Sequence, residues 1–323
     1  MKKIGIICCY FGKLPNYFHL WLKSCAANPT IDWLFFGDQK LSGLPENVKH
    51  YHVTLEKIHK LCREKIDEKL ILPKPYKICD YKVFYGSIFT DYLVGYDFWG
   101  YCDFDMIFGD LREFFSPERL EKFDKILPLG HLSIYRNTPE VNERFRCVGS
   151  QYTLHQVLTD EKTCAFDEWR GIYAIYKHND FPMCDDMPFA DISCMHKRLT
   201  IHSRTSGKYK KPAPNFEHQV FYWENGKIYR TYIDGNKRIC QDTFLYIHLA
   251  RRQFPDAPEA DAFYCTPAGF VPKIPGFVPG RKEIDQYNPF YGKLFEWIER
   301  RLRRRMMKRE NHRRFAARAK TSK

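Results

Sequence analysis

The sequence lacks three features, each of which would have assigned it to a class of protein. No apolar run reaches the roughly 18 residues of a membrane-spanning helix, which argues against a helical membrane anchor. The basic start MKKIGIICCYFGKLPNYF has no small-residue cleavage site, so we interpret it as a first strand and not a signal peptide. The twelve cysteines include no Cys-x-x-Cys pair, which favours buried thiols in a reduced, cytosolic protein over a zinc site.

Excess positive charge is also absent from most of the chain. The net charge is +13, but residues 293–323 alone contain thirteen Lys or Arg against three Glu, a net of +10. The remaining 292 residues carry a net charge of only +3. Because the body is nearly neutral, we expect no nucleic-acid partner for the protein as a whole.

Apolar segments with strand-like and helix-like spacing alternate along the first part of the chain. Predicted strands cover 4–11, 31–36, 98–108 and 126–129, and predicted helices begin at Pro15, Leu55, Tyr81 and Leu111. Strands that alternate with helices predict a mostly parallel, Rossmann-like α/β sheet flanked by helices. Ligands of such sheets bind beyond the carboxyl ends of the strands. Gly12, Asp38 and the pair Asp103 and Asp105 all lie at such ends.

The later part of the chain has a different pattern. VFYWENGKIYRTYI predicts a β-hairpin around Asn225-Gly226, and TFLYIHLARRQF predicts a strand that carries His248. A Pro/Gly-rich stretch and a basic amphipathic segment follow. We therefore divide the chain into a catalytic body (1–255), a linker or ordered loop (256–290) and a C-terminal helix (291–323).

The stretch WGYCDFDMIF places Asp103 and Asp105 inside an otherwise apolar run. A carboxylate in such surroundings is costly unless it is paired or bound to a cation. Side chains at i and i+2 of an extended chain point the same way, so the two could share one ion at a strand end. Alternatively, the strand ends at Cys102 and both carboxylates are solvated or cap the next helix.

A longer block, KPYKICDYKVFYGSIFTDYLVGYDFWGYCDFDMIFGDL, resembles the core of a family of bacterial surface-polysaccharide glycosyltransferases with the GT-A fold. YFGKLPNYF, GHLSIYRNT and FDEW resemble other blocks of that family, and the resemblance covers about residues 1–255. It implies transfer of a sugar from a nucleotide-sugar donor to a growing glycan, with Mg²⁺ or Mn²⁺ as cofactor. Hard carboxylate oxygens suit either ion.

The resemblance also implies roles for individual residues. Asp103 and Asp105 stand at the metal-binding Asp-x-Asp positions, and His248 resembles the metal-ligand histidine of the retaining family-eight enzymes. Those enzymes continue His-x-x-Gly-x-x-Lys, whereas this chain reads HLARRQF and lacks the Gly. Alternatively, His248 is a core residue of its strand. The residues expected at the donor are Tyr10, Gly12, Asp38, Asp80, Lys82, Asp103, Arg251 and Arg252.

The catalytic residues and the stereochemistry stay open at this point. Asp167 or Glu168 in CAFDEW is the candidate acid or base toward the acceptor, or else an ordinary helix N-terminus. A base at either position would mean inversion, whereas the resemblance at His248 favours retention. His131 and Arg136 in GHLSIYRNT are candidates for the acceptor side, and Asp80 with Lys82 could instead form only an ion pair.

The basic tail predicts where the enzyme acts. Leu294, Ile298, Leu302 and Met306 recur on one helical face among arginines, a pattern that suits an anionic membrane surface. We therefore expect a bacterial cytoplasmic protein, peripheral on the inner face of the cell membrane, acting on a lipid-linked glycan. A metal-dependent phosphohydrolase or nuclease, and a non-catalytic nucleic-acid-binding protein that uses the tail, are the alternatives.

Overall fold

The computed structural model describes residues 1–202, 211–250, 252–255 and 257–320, with side chains as far as Met306. Its strands are β1 (Ile4–Tyr10), β2 (Ile31–Gly37), β3 (Val48–His52), β4 (Phe98–Cys102), β5 (Met106–Phe108), β6 (Lys125–Ile126), β7 (Leu132–Arg136), β8 (Met183–Cys184), β9 (Ala190–Asp191), β10 (Gln219–Glu224), β11 (Lys227–Ile233), β12 (Ile239–Phe244), β13 (Tyr246–His248), β14 (Ala262–Thr266) and β15 (Gly269–Pro272). Its α-helices are α1 (Phe18–Ala26), α2 (Leu55–Lys65), α3 (Tyr85–Ile88), α4 (Leu111–Phe114), α5 (Pro117–Lys122), α6 (Pro139–Glu143), α7 (Leu154–Thr159), α8 (Ile172–His178), α9 (Arg281–Tyr287) and α10 (Lys293–Lys320). Short 3-10 helices cover Pro75–Phe84, Thr90–Tyr92 and Arg144–Arg146.

A seven-stranded, mostly parallel sheet forms the centre of the molecule, in the order β3-β2-β1-β4-β7-β6-β8. Only β7 runs antiparallel to its neighbours β4 and β6. Along β2, Trp33 and Phe35 enter the apolar core on one face, and Leu34 and Phe36 enter the core on the other. Because apolar core covers both faces of the sheet, the sequence of a central strand such as β2 is a continuous apolar run. The predicted mixed α/β fold with a mostly parallel sheet is confirmed.

Two smaller sheets complete the described part of the chain. The five-stranded antiparallel sheet has the order β12-β11-β10-β14-β15, and the predicted hairpin is its β10–β11 pair. Asn225 and Gly226 turn this hairpin with φ of 49° and 75°, as a two-residue hairpin turn requires. The three-stranded sheet, β5-β13-β9, joins three short segments that are distant in sequence.

Four predicted elements differ in the structure. The strand expected over 126–129 is confined to β6 (Lys125–Ile126), and Leu127 after it has a φ of 73°. The strand expected over 98–108 is interrupted at residues 103–105, so it forms β4 and β5 in two different sheets. The helix expected from Tyr81 is largely 3-10, because Asp80 and Lys82 are buried and their tertiary contacts override the helical period. The helix expected over 111–123 breaks at Ser116-Pro117, where Ser116 caps a new helix.

The Pro/Gly-rich stretch is not a linker where it forms β14 and β15. β14 pairs with β10 of the predicted hairpin, so the packed body extends past the expected boundary at residue 255. The C-terminal segment is helical, as predicted, and forms α10. No helix among the described residues has both the length and the apolar composition that crossing a bilayer requires.

Candidate metal centre

Asp103 and Asp105 lie where the chain crosses from the seven-stranded sheet to the three-stranded sheet. The backbone N–H of Asp103 donates to the carbonyl of His131 (2.9 Å), and the carbonyl of Asp105 accepts from the N–H of Leu249 (2.7 Å). Each aspartate is therefore held by a neighbouring strand on one side. The strand does end at Cys102, but the two carboxylates are partly buried and contact charged side chains, in contrast to the solvated alternative.

His248 reaches this point because β13 pairs with β5 on one side and with β9 on the other. In these pairings His248 lies opposite Met106 and opposite Asp191. Its Nε2 is 3.4 Å from the Asp105 carboxylate, and its Nδ1 is 2.8 Å from the Asp191 carboxylate. The structure thus brings His248 beside the Asp-x-Asp pair, across more than a hundred residues of sequence.

These side chains fit a divalent metal ion. Ligand atoms of Asp103, Asp105 and His248 lie within 4.8 Å of one another. Two carboxylates and an imidazole form a donor set that suits Mn²⁺ or Mg²⁺, with remaining positions open to water or phosphate oxygens. A ligating histidine usually binds a carboxylate through its other ring nitrogen, as His248 does with Asp191. The residues present therefore fit the cofactor that the resemblance implies.

Burial and neighbouring charges shift the ionisation of this cluster. Burial would lower the pKa of His248, but Asp105 and Asp191 outweigh it and raise that pKa well above its ordinary value. Burial raises the pKa of the Asp103 carboxyl, although Lys82 opposes the shift. Because a metal ion binds the neutral imidazole, it would displace the proton that these carboxylates stabilise on His248.

His131 supports the cluster from the side. Its ring stacks on His248 with centroids 4.4 Å apart, and its Nδ1 is 2.8 Å from the Tyr246 hydroxyl. His131, Asp191 and His248 form a second group with ligand atoms within 4.8 Å of one another. Asp191 was missed in the sequence, although it too is a carboxylate among apolar residues, in FADIS. Arg136, at the opposite end of β7, donates to the carboxylate of Asp124 and to the carbonyls of residues 120, 121 and 123, away from the cluster.

Lys82 links the Asp-x-Asp pair to Asp167. Its Nζ is 2.5 Å from the Asp103 carboxylate and 3.3 Å from the Asp167 carboxylate. It also donates to the carbonyl of Gly130 (2.9 Å). Burial raises the pKa of Asp167 to about 6, with Lys82 opposing the shift. Its position beside Lys82 and its raised pKa therefore make Asp167 a candidate acid or base, whereas Glu168 is more exposed.

Gly130 gives Asp167 the room to reach Lys82. A Cβ atom at residue 130 would lie only 2.6 Å from Cγ of Asp167, a separation that real Cβ atoms do not show. Because Asp167 is buried and paired, it has little freedom to move away. The glycine of GHLSIYRNT is thus explained by the close approach of one side chain.

Asp80 is not accessible to a ligand, whereas it is expected from the sequence to contact the nucleotide-sugar donor. It is completely buried and pairs with Lys77 at 2.8 Å, not with Lys82. Its oxygens also accept the backbone N–H groups of Cys164 and Phe166. Both oxygens are occupied by these bonds, so Asp80 positions the segment that leads into Asp167. Lys77, which sequence reasoning missed, completes the buried pair.

Tyr10, Gly12 and Asp38 lie at the carboxyl ends of β1 and β2, as expected. The Asp38 carboxylate accepts the N–H of Gly12 (3.1 Å), whose φ of +104° is in the left-handed region. The ring of Tyr10 packs on Phe104, between the two aspartates, at 4.9 Å. Burial, followed by the charge of Asp105, raises the pKa of Tyr10. Tyr10 therefore borders the candidate centre through Phe104, and Gly12 and Asp38 lie at the same edge of the sheet.

Arg252, one of the two arginines expected at the donor, is held by the backbone of its own chain. The Arg252 guanidinium donates to the carbonyls of Ser193 (3.0 Å), His196 (2.6 Å) and Lys197 (3.0 Å). A guanidinium occupied by carbonyls of its own chain fixes a loop, so the expected phosphate role is not supported for Arg252. Arg251 lies outside the described residues.

Comparison with known proteins assigns the chain to a family. A family model described as a family of unknown function, DUF6625, matches residues 6–274. The chain belongs to the DUF6625 family. The match runs from β1 to β15 and includes every residue of the candidate centre, whereas α10 of this DUF6625 protein lies beyond it. A search of curated protein sequences finds no match.

Proposed function

We propose that this DUF6625 protein is a metal-dependent glycosyltransferase with a GT-A-like catalytic body. The observation that carries the proposal is the cluster of Asp103, Asp105 and His248 at the carboxyl edge of a mostly parallel sheet. Ligands of such sheets bind at this edge, and an Asp-x-Asp pair with a histidine suits an ion that holds a nucleotide-sugar diphosphate.

Side chains of the protein would hold the metal ion, orient its ligands and accept the proton of the acceptor. Asp103, Asp105 and His248 would hold Mn²⁺ or Mg²⁺, which when bound would neutralise charge on a departing nucleoside diphosphate. Asp191 keeps His248 oriented through Nδ1, and Lys82 keeps Asp103 and Asp167 in place. Asp167, with its raised pKa, would accept the proton of the acceptor hydroxyl at a carboxylate oxygen. In that role it favours inversion over retention.

The position of α10 supports a membrane-bound acceptor. Its side chains Glu296, Glu299 and Arg303 contact the body. Leu294, Phe295, Trp297, Ile298, Leu302 and Met306 are instead between 42% and 71% exposed. The apolar stripe therefore does not dock on the described part of the body. An exposed apolar face flanked by arginines suits the anionic surface of a membrane that would present a lipid-linked glycan.

The alternative of a phosphohydrolase or nuclease has less support. A two-metal site needs several bridging carboxylates, whereas the second group beside the centre contains one carboxylate, Asp191, which is bonded to His248. A nucleic-acid-binding protein would leave the carboxylate cluster of the nearly neutral body unexplained.

The test is release of nucleoside diphosphate from a panel of nucleotide-sugars with Mn²⁺ and the full-length protein. We expect sugar-dependent release that is abolished by chelation and reduced about 10²-fold or more in Asp105→Asn. Asp261→Asn, which removes an exposed carboxylate paired with Lys23, is the control and should have full activity. Full activity of Asp105→Asn, or phosphate release from sugar-free nucleotides alone, would contradict the proposal.

A further inference from the structure

A polar cavity begins two residues after Asp191, on the segment that follows β9. It is lined by that segment from Ser193 to His202, by residues 215–217 and by the first turns of α10. Its volume is about 250 Å³, below the roughly 300–1,000 Å³ of pockets for drug-sized ligands. A small ligand, or the headgroup of a larger one, is the size that fits.

The charges that line this cavity do not cancel. Its two acidic side chains are both paired, Glu217 with Lys293 at 3.0 Å and Glu296 with Arg198 at 2.8 Å. Arg300 and Arg304, one helical turn apart at the mouth, have no acidic partner among the described residues. The cavity therefore has about two positive charges in excess, which favours a ligand with two negative charges.

Three buried polar atoms of lining residues also lack a partner within the described part of the chain. They are Nδ1 of His196, Nε of Arg198 and the hydroxyl of Thr200, and Arg198 and Thr200 are only 6% and 7% exposed. Buried polar groups are nearly always hydrogen-bonded, so each such atom requires an explanation. These atoms have almost no accessible surface while the cavity is empty, so oxygen atoms of a ligand would satisfy them after the side chains turn toward the cavity.

We propose that this cavity binds a phosphate group, either a free phosphate or diphosphate or the phosphate headgroup of a lipid. Arginine recognises phosphate through charge-assisted, often bidentate hydrogen bonds, and a hydroxyl adds a further donor. Arg300 and Arg304 supply the charge at the mouth, and Arg198 and Thr200 supply the buried donors. The inference requires neither the metal centre nor sugar transfer.

The experiment titrates the full-length protein with inorganic pyrophosphate, by calorimetry in excess chelator so that no metal contributes. Arg300→Gln with Arg304→Gln should weaken binding about tenfold or more. The matched control, Arg301→Gln with Arg305→Gln, removes the same charge from the same two turns of α10 but outside the lining, and should change affinity little. Equal losses in both variants would overturn the proposal, and if pyrophosphate does not bind the wild type, the comparison with vesicles decides.

A second variant separates ligand binding from folding. Thr200→Val removes a buried hydroxyl that has no partner among the described residues, so the ligand-free protein should melt at the same temperature or higher. Its affinity for pyrophosphate should nevertheless fall. A lower melting temperature with unchanged affinity would show that the hydroxyl serves the fold and would count against the proposal.

The source of the phosphate is resolved with vesicles of phosphatidylcholine that contain phosphatidic acid. If the pocket variant loses vesicle binding while the matched control keeps it, the ligand is a headgroup. If the two variants bind vesicles alike but differ toward pyrophosphate, the ligand is a free phosphate or diphosphate. Either difference supports the cavity as a phosphate site, and identical behaviour in both assays refutes it.

Discussion

Asp103 and Asp105 are the same residue type two positions apart, yet each contacts a different partner. Asp103 contacts Lys82, and Asp105 faces His248. A buried pair of carboxylates is tolerated when each is compensated by a cationic or protonatable neighbour. The cluster can therefore exist in the folded protein before any ligand binds, which is a requirement for a preformed site.

Asp167 and Glu168 are adjacent but are expected to differ in their contribution to rate. Asp167→Asn should reduce turnover about 10²- to 10⁴-fold, because it removes a proton acceptor that Lys82 positions. Glu168→Gln is the control and should retain most activity. The measurement is the rate of nucleoside diphosphate release at saturating donor. The reverse ranking would assign the role to Glu168.

Asp80 should matter for stability and not for ligand contact. Asp80→Asn would leave Lys77 as an uncompensated buried charge, so we expect a loss of about 3–5 kcal/mol in the free energy of unfolding. Asp261→Asn breaks an exposed pair and should have no measurable effect. Urea unfolding of both variants measures the difference. Equal stabilities would show that the buried pair does not hold the fold.

A buried carboxylate can be recognised in the sequence only when the apolar residues that surround it in the fold are also its neighbours along the chain. Asp103 and Asp105 stand out because the residues beside them in sequence are apolar, and the same rule could have found Asp191. The role of Asp80 is not visible in this way. Its partners include backbone N–H groups more than eighty residues away, and backbone groups leave no trace in the residue pattern.

At the level of elements, the candidate centre depends on the three-stranded sheet. The hairpin β10–β11 was predictable because its strands and its turn are contiguous. β5, β9 and β13 have only two or three residues each and pair across long sequence separations. Strands this short carry little periodicity, so the sequence predicted a strand at His248, and β5 only as the end of a longer strand, but not β9 or the pairing of the three.

Asp191 tests this sheet directly, because β9 holds it against His248. Asp191→Asn keeps the shape of the side chain but removes the charge that orients the imidazole. We expect affinity for Mn²⁺ to fall about 10- to 100-fold, with the fold intact. Calorimetric titration with Mn²⁺ measures this, with Asp261→Asn as the control. Unchanged affinity would mean that Asp191 does not position a metal ligand.

At the level of the whole molecule, charge and apolar surface are concentrated at one end. The first 292 residues carry a net charge of +3, and the last 31 carry +10. α10 places contacting side chains on the body and leaves its apolar side chains exposed. The spacing of its apolar residues among arginines predicted the amphipathic helix. The exposed face of α10 is determined by ion pairs with the body, such as that of Glu296 with Arg198. The spacing of residues in the sequence does not reveal these pairs.

The exposed face of α10 should bind anionic membranes. Ile298→Ser with Leu302→Ser would remove two exposed apolar side chains while leaving the ion pairs of α10 with the body in place. Burying such a side chain in a bilayer contributes about 1.5–3 kcal/mol, so binding to anionic vesicles should weaken more than about tenfold. Ile239→Ser with Ile274→Ser, which removes exposed side chains elsewhere, is the control.

Binding of the wild-type protein to anionic vesicles should also fall steeply with salt, because each Lys or Arg near the membrane surface contributes about 1 kcal/mol. Cosedimentation with vesicles measures both effects, and equal sedimentation of all variants would reject α10 as the membrane contact.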